Sequence, residues 1–377
     1  MAAIYIHIPF CKQACTYCDF HFSTNRAKKD DMVLALAQEI IERKTELKSE
    51  IINAIYFGGG TPSVLSVVEI EILLNTVANN YILADALEIT LEANPDDLSD
   101  SYLELLSKTK INRLSIGVQS FFNEDLVLMN RAHNANEALY SIKKAKTYFK
   151  NISIDLIYGV PNMPLDRWKQ NVDTVLELEI PHISSYALTV ESKTVLHKQI
   201  VTGKVTPVNE KMAKTHFDYL VTALTNNGYD HYEISNFSKP NFYSVNNSNY
   251  WSGGAYLGIG PGAHSFDGVF RSWNVANNSK YIKGINAGIR NYEKEELTEI
   301  DCYNEYIMTG LRTQKGVSIS VIKDRFGIKT ANYFIKNIQK HIENNTIYIA
   351  ADCYKTTQKG KFLSDGISSD LFLVNLN

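Results

Sequence analysis

Three thiols carry the first chemistry of this chain. Cys11, Cys15 and Cys18 occur in Cys11-Lys12-Gln13-Ala14-Cys15-Thr16-Tyr17-Cys18, directly behind the apolar run Ile4-Tyr5-Ile6-His7-Ile8-Pro9-Phe10. Thiolates hold iron–sulfur clusters, and a four-iron cluster takes four of them. This segment offers three, and the other two cysteines, Cys302 and Cys353, lie far along the chain. One iron is then left open to a small molecule, which is an arrangement for chemistry rather than for electron storage. The same spacing also fits one face of a helix, where cysteines serve as small core residues. Pro9 upstream, the polar Lys12, Gln13 and Thr16 between the thiols, and the strand character of the preceding run favour a loop wrapped around a cluster.

Such a loop needs a frame. Short apolar, β-rich runs at 4–8, 54–57, 87–92, 113–118, 152–157 and 182–188 alternate with amphipathic stretches at 30–48, 66–80, 99–108, 134–149, 166–178 and 209–227. Several of the latter begin at a Ser, Asp or Asn suited to capping a helix. The pattern predicts an α/β fold of about six βα units curled into a partial or full parallel barrel. Functional groups of such barrels gather at the C-terminal ends of the strands. After the cysteines, those ends are Gly58-Gly59-Gly60-Thr61-Pro62, Glu92-Ala93-Asn94-Pro95, Gly117-Val118-Gln119-Ser120, Asp155-Leu156-Ile157-Tyr158-Gly159 and Tyr186-Ala187-Leu188-Thr189. The triple glycine lets the backbone approach a ligand and present its N–H and C=O groups. A tight strand-to-helix turn is the alternative, and no Gly-Lys-Ser/Thr ending marks a phosphate loop.

The Cys11–Cys15–Cys18 spacing resembles the radical S-adenosylmethionine (SAM) superfamily. The wider string from Tyr5-Ile6-His7-Ile8-Pro9-Phe10-Cys11 to Tyr17-Cys18-Asp19-Phe20 resembles its oxygen-independent coproporphyrinogen III oxidase-like branch. The resemblance covers essentially the whole chain. It implies a radical SAM partial (β/α)6 TIM-like barrel, a [4Fe-4S] cluster on the three cysteines, and SAM chelating the open iron. One electron from the cluster then cleaves the sulfonium to a 5′-deoxyadenosyl radical, so the cofactor supplies the difficult chemistry. By the same resemblance Gly59, Gly60 and Thr61 contact the methionine part of SAM. Glu92, Gln119, Arg131 and Asp155 hold its amino group, ribose and carboxylate, and Tyr5, Tyr17 and Ala187 line the pocket.

Composition sets limits. At 377 residues and 45% hydrophobic content, the chain is long enough for one large domain and a smaller one. With 38 Lys and Arg against 41 Asp and Glu, the net charge gives no global argument for nucleic acid or an anionic membrane. An odd count of five cysteines, three of them clustered, is no disulfide framework, and thiolate ligation needs a reducing compartment, which points to the cytoplasm. No apolar segment reaches bilayer-spanning length, so any membrane contact is expected to be peripheral.

The βα rhythm stops near residue 235, giving an expected division into a core barrel at 1–235, mouth loops and a connecting segment at 236–300, and a C-terminal unit at 301–377. In the middle segment, Gly258-Ile259-Gly260-Pro261-Gly262-Ala263-His264 reads as a close-packed loop, since Pro261 and the missing βαβ context argue against dinucleotide binding. His264 is a candidate substrate or cofactor contact, or a structural donor. The last unit predicts helices at 305–312, 319–326 and 332–345, a strand at 346–350 and a final helical stretch at 357–373, a small winged-helix-like module. Its ten Lys or Arg against seven Asp or Glu form no basic stripe, so packing or a protein partner is expected rather than nucleic acid.

Two members of the branch compete. The oxygen-independent dehydrogenase, which oxidatively decarboxylates two propionates of a porphyrinogen, carries a further cysteine two residues after the third ligand. Here that residue is Phe20. The branch's heme chaperones lack that cysteine, and this resemblance implies a protein that binds heme, or another porphyrin, and passes it to an acceptor protein. A flavodoxin or ferredoxin would serve as electron donor, and turnover of SAM is left open. These chaperones carry a His-Asn-x-x-Tyr-Trp signature, where this chain reads Asn246-Asn247-Ser248-Asn249-Tyr250-Trp251. A carboxamide is a poor ligand for heme iron, which leaves His264, His231 and Tyr250 as substitutes. Tyr250 and Trp251 either stack on a porphyrin or belong to the core.

Overall fold

The computed structural model describes residues 1–47 and 50–374. Its centre is the expected run of parallel strands: β1 (Ala2–Ile8), β2 (Ile52–Gly59), β3 (Leu83–Ala93), β4 (Arg113–Gln119), β5 (Asn151–Tyr158) and β6 (His182–Ala187). Between and after them come helices α1 (Lys29–Glu42), α2 (Val67–Asn80), α3 (Asp100–Leu106), α4 (Asn123–Leu128), α5 (Ala135–Tyr148), α6 (Leu165–Glu177), α7 (Val195–Val201) and α8 (Glu210–Asn226). Helices α2 and α5 open on capping boxes, Ser66 with Glu69 and Asn134 with Glu137, the two reciprocal bonds that satisfy free N–H groups at a helix start. Helix α1 ends earlier than its periodicity predicts. Arg43 leaves the helix to place its guanidinium, itself buried, on Glu39, Glu46 and the carbonyl of Gly258. Lys48, the last residue of the predicted helix, lies outside the described residues.

Alternation along the strands separates two environments. Ile4, Ile6 and Ile8 join one apolar core with Leu36, Ile40, Leu73 and Ile142 of the flanking helices. The opposite face is polar. Tyr5 pairs with Tyr56, Tyr56 with Thr90 and Thr90 with Arg113, while Glu92, Ser115, Ser153 and His182 pair in turn across the next row. A sheet whose inner face is polar leaves its concave side for ligand rather than for core.

Residues 236–300 hold more regular structure than the loops expected. With β7 (Asp230–Glu233) before them come β8 (Asn236–Ser238), α9 (Val245–Trp251), β9 (Tyr256–Ile259), β10 (His264–Phe266), β11 (Phe270–Asn274), α10 (Asn278–Asn286) and β12 (Tyr292–Glu296). The sheet reads β12-β11-β10-β9-β1-β2-β3-β4-β5-β6-β8-β7 and stays open at both edges. Strands of three to five residues leave almost no period to read, which is why the sequence hides them. The glycine run is the close-packed turn expected: a Cβ at Gly258 would stand 2.0 Å from His264 O, and Gly260, at φ +105°, would meet His7 O at 2.7 Å.

The C-terminal part has its own apolar cluster, including Tyr303, Ile307, Phe334 and Ile338. It runs α11 (Glu299–Leu311), β13 (Val317–Ser318), α12 (Ile319–Glu343), β14 (Ile347–Ala350), β15 (Cys353–Thr356), α13 (Gln358–Lys361) and α14 (Ser364–Leu371), with an antiparallel sheet β13-β15-β14. Gly327, at φ 83°, breaks α12 into two helices, as the sequence predicts. Arg271 of β11 bridges to Glu305 of α11 at 2.7 Å, and Gln314 N donates to Tyr232 O at 3.0 Å. These bonds tie the module to the sheet. Among the described residues, no helix is long and apolar enough to cross a membrane.

Candidate active site at the strand ends

The three cysteines lie on the loop after β1, and the loop is anchored at nearly every residue. Cys11 N donates to Ser23 O and Ser23 N to Pro9 O, while Thr16 N and Thr16 Oγ1 donate to Met129 O and Leu128 O. Gln13 Nε2 reaches Asn130 O at 2.9 Å, Asn130 Nδ2 returns a bond to Ala14 O at 2.7 Å, and Lys12 pairs with Asp96 and Asp97. All three thiols are free. Burial, aided by the charges of Cys18 and Cys15, pushes Cys11 up to about 11 against the relief of a hydrogen bond with Thr61. Burial raises Cys18 as well. A buried thiol that resists ionisation in the free chain is one whose proton must leave when metal binds.

Arg131 joins this loop to the strand ends. Its Nη1 donates to Cys15 Sγ at 3.3 Å and its Nη2 to Asn94 Oδ1 and Gly117 O at 2.6 and 2.7 Å, while its Nε is buried with no partner. Tyr17 lies against the same thiol and guanidinium, and burial raises its phenol. Gln119 ends β4 in the left-handed region, at φ 69°, and is buried. Glu92 accepts from Tyr56 Oη at 2.7 Å; burial chiefly, with the charge of Asp155, raises it to about 7. Burial likewise raises Asp155 to about 6, against the pull of Arg113 and hydrogen bonds from Ser184 and Ser115. Two buried carboxyls held above their ordinary range, on β3 and β5, favour a cation nearby.

The glycines have a second duty that the sequence did not announce. A Cβ at Gly58 would meet the Tyr5 ring at 2.8 Å, at Gly59 the His7 ring at 2.3 Å, and at Gly60 the Phe10 carbonyl at 2.6 Å. Gly58 and Gly59 let β2 close on β1, and Gly60 lets it close on the start of the cysteine loop, so packing accounts for all three glycines.

A cavity of about 1040 Å³ opens beside this rim. It is lined by Ala3, Tyr5 and His7 of β1, by Phe20 and His21 of the cysteine loop, by α9, β10, β11 and Arg312, and by residues of β6–β9 and β12 that include Glu233 and Glu295. Tyr5 and His264, both singled out in the sequence, line it, together with Asn246, Tyr250 and Trp251. Tyr250 and Trp251 therefore face the cavity, although Trp251 also carries the guanidinium of Arg312 at 5.5 Å from its ring centre. His231 does not reach it. Its ring is buried and stacked 4.0 Å from that of Phe237, so the structure removes it from the substitutes for the signature histidine. Ala187 is exposed and pairs across the sheet with Tyr158 at the end of β5. Sequence reasoning missed His7, His21, Tyr56, Arg271, Trp273 and Arg312. The inward parity of Tyr5 and His7 on one strand was the only available signal.

A cluster and SAM fit these residues. Among the described residues, no three of His, Cys, Asp or Glu converge to hold a single metal ion. A four-iron cube takes its thiolates at separate corners, so three free thiols on one braced loop suit it better than a lone ion. Arg131, with its Nη1 on Cys15 and its Nε unpartnered among the described residues, is a buried cation beside the thiols.

Three cysteines on the first strand-end loop of an open parallel barrel define the class of a radical SAM protein. The model of the radical SAM superfamily matches residues 5–175, and that of the HemN C-terminal domain matches residues 297–363. A protein described as heme chaperone HemW from Lactococcus lactis is 34% identical, over 99% of this chain and 98% of its own length. Another so described, from Bacillus subtilis, is 32% identical, over 97% and 98%. The structure of coproporphyrinogen III oxidase (HemN) from Escherichia coli superposes with a TM-score of 0.85 at 23% identity, over 98% of this chain and 90% of that one, which shows the shared fold. The chain belongs to the HemW family within the radical SAM superfamily.

Proposed function

We propose that this chain is a heme chaperone that binds heme in the cavity beside its strand-end site and passes it to an acceptor protein. The cavity carries this reading. Its volume of about 1040 Å³ lies just above the range of about 300–1,000 Å³ for ligand sites, and its walls combine flat aromatic rings with histidines, two arginines and the carboxylates of Glu233 and Glu295.

Cys11, Cys15 and Cys18 would hold the [4Fe-4S] cluster, and Glu92 and Arg131 the amino and carboxylate groups of SAM. Gly59, Gly60 and Thr61 would lie along its methionine part, Gln119 and Asp155 at its ribose, and Tyr5, Tyr17 and Ala187 at the pocket wall. Together these cofactors supply one-electron reduction of a sulfonium, for which a flavodoxin or ferredoxin would be the source of electrons. The chain's own contribution is to keep Arg131 charged, Glu92 close to its titration point and the thiols fixed by the loop's hydrogen bonds. The separate C-terminal core supports the boundary near residue 300, whereas Phe237, Leu257, Ile259 and Tyr281 share the barrel's core, so the proposed division at residue 235 follows the change in strand rhythm and not a break in packing. A reducing cytoplasm suits the free thiols.

Titration with hemin, followed by mixing with an apo-hemoprotein, tests the proposal. Saturable binding and transfer, with no decarboxylation of coproporphyrinogen III in the presence of SAM and a reductant, is the expected result. Robust decarboxylation would instead make the protein a dehydrogenase. Phe20 argues against that outcome, since it puts a phenyl at the cavity end where the dehydrogenase resemblance calls for a thiol.

A further inference from the structure

Three histidines line the cavity, and only one has its ring free. His7 Nδ1 accepts from Tyr5 Oη at 3.2 Å and its Nε2 donates to His21 O at 2.9 Å, which uses both nitrogens. His21 Nε2 lies 2.7 Å from Asn278 Oδ1, leaving only Nδ1, the nitrogen crowded by its own backbone. His264 differs from both. It is exposed to the cavity, and its ring makes no hydrogen bond among the described residues. Trp273, its direct partner across β10 and β11, holds the imidazole from the side, with ring centroids 5.7 Å apart and 26° between planes.

The hairpin continues this design. Phe266 pairs with Arg271 in the next outward register, so His264, Phe266, Arg271 and Trp273 share one face. Arg271 Nη1 pairs with Glu305, and a guanidinium has donors to spare. Arg312 also lines the cavity; its Nη1 pairs with Asp365, and its Nε is buried without a partner among the described residues. In the cavity, a planar ligand with a metal at its centre and two carboxylates at its edge would meet the His264 imidazole, the Trp251 and Trp273 rings and the Arg271 and Arg312 guanidiniums, with Glu233 and Glu295 also on the lining.

We propose that His264 ligates the heme iron through a ring nitrogen of the neutral imidazole, with Arg271 and Arg312 facing the propionates; this rests on the heme-binding reading above. The lone pair forms the iron–nitrogen bond, and no proton is lost. Asn246, also in the cavity, offers only a carboxamide and is no competitor.

The test is hemin titration of the full-length chain, read by absorption and magnetic circular dichroism, with His264→Ala, His21→Ala and Tyr250→Phe compared. His264→Ala is expected to lose the imidazole-ligated spectrum and to bind hemin at least about tenfold more weakly, a loss no smaller than that caused by disturbing a ligand's supporting partner. Added imidazole should restore the spectrum in His264→Gly, while His21→Ala and Tyr250→Phe keep it. Retention of the wild-type spectrum in His264→Ala, or its loss in either other variant, overturns the assignment and leaves heme binding standing. A wild-type chain that takes up no hemin overturns both.

Discussion

Arg131 Nη1 lies 3.3 Å from Cys15 Sγ, while the Nη2 of the same guanidinium holds Asn94 Oδ1 and Gly117 O. One side chain thus fixes the cysteine loop to the ends of the third and fourth strands. Arg131→Met fills similar volume but leaves both acceptors without a donor. Equilibrium denaturation should show a loss of about 1–3 kcal/mol, and SAM binding to the reconstituted protein should weaken in parallel. Unchanged SAM affinity would remove Arg131 from the proposed carboxylate site.

Glu92 gives a pH signature. Its carboxyl is raised from 4.5 to about 7, chiefly by burial. Between those values the folded chain keeps a proton that the unfolded chain has released, so stability falls as pH rises. The contribution is complete below pH 4.5 and is lost as pH passes through about 7. In Glu92→Gln this slope disappears, and the stability difference between variant and wild type should change by at most roughly 3 kcal/mol across that window. Buried His7, lowered to about 4, acts in the opposite direction in both proteins. Asp155, raised to about 6, titrates in the same window and feels the Glu92 charge, so the difference reports Glu92 together with its effect on Asp155.

Gly59 adopts φ +108°, and a Cβ there would stand 2.3 Å from His7 Nδ1. The imidazole has nowhere to go, because both its nitrogens are bonded. Gly59→Ala should destabilise the chain by more than about 1 kcal/mol, from positive-φ strain and collision together. Thermal denaturation measures this, and a melting temperature equal to wild type would show that β1 and β2 are not as tightly closed as described.

Asn246 lines the cavity that His264 faces. Because imidazole is a far better donor to heme iron than a carboxamide, Asn246→His should tighten hemin binding and shift its spectrum toward two nitrogen ligands. Titration of the variant checks this. A spectrum identical to wild type would mean that the position does not reach the iron.

Much of the barrel was legible because its signals are local. All six core strands were foreseen, and the caps at Ser66, Ser99, Asn134 and Asn209 mark helix starts within one residue. The cysteine loop and the carboxylates at strand ends followed from that frame. The cavity did not, since it joins Ala3 to Arg312 through strands too short to show a period. Nor could spacing reveal that His231 is stacked against Phe237 while His264 stands free. Those are outcomes of packing between distant segments, and the glycine triplet is another: what reads as an opening for ligand is also the contact between two strands.

The most direct test concerns the open corner of the cluster. The anaerobically reconstituted, reduced chain should give the electron paramagnetic resonance signal of a four-iron cluster, and SAM should change that signal by binding the iron without a cysteine. In Cys15→Ala the cluster should be lost or degraded. A signal that SAM leaves unaltered, or a cluster that survives Cys15→Ala intact, would contradict the claim that three thiols and the strand-end rim form one site.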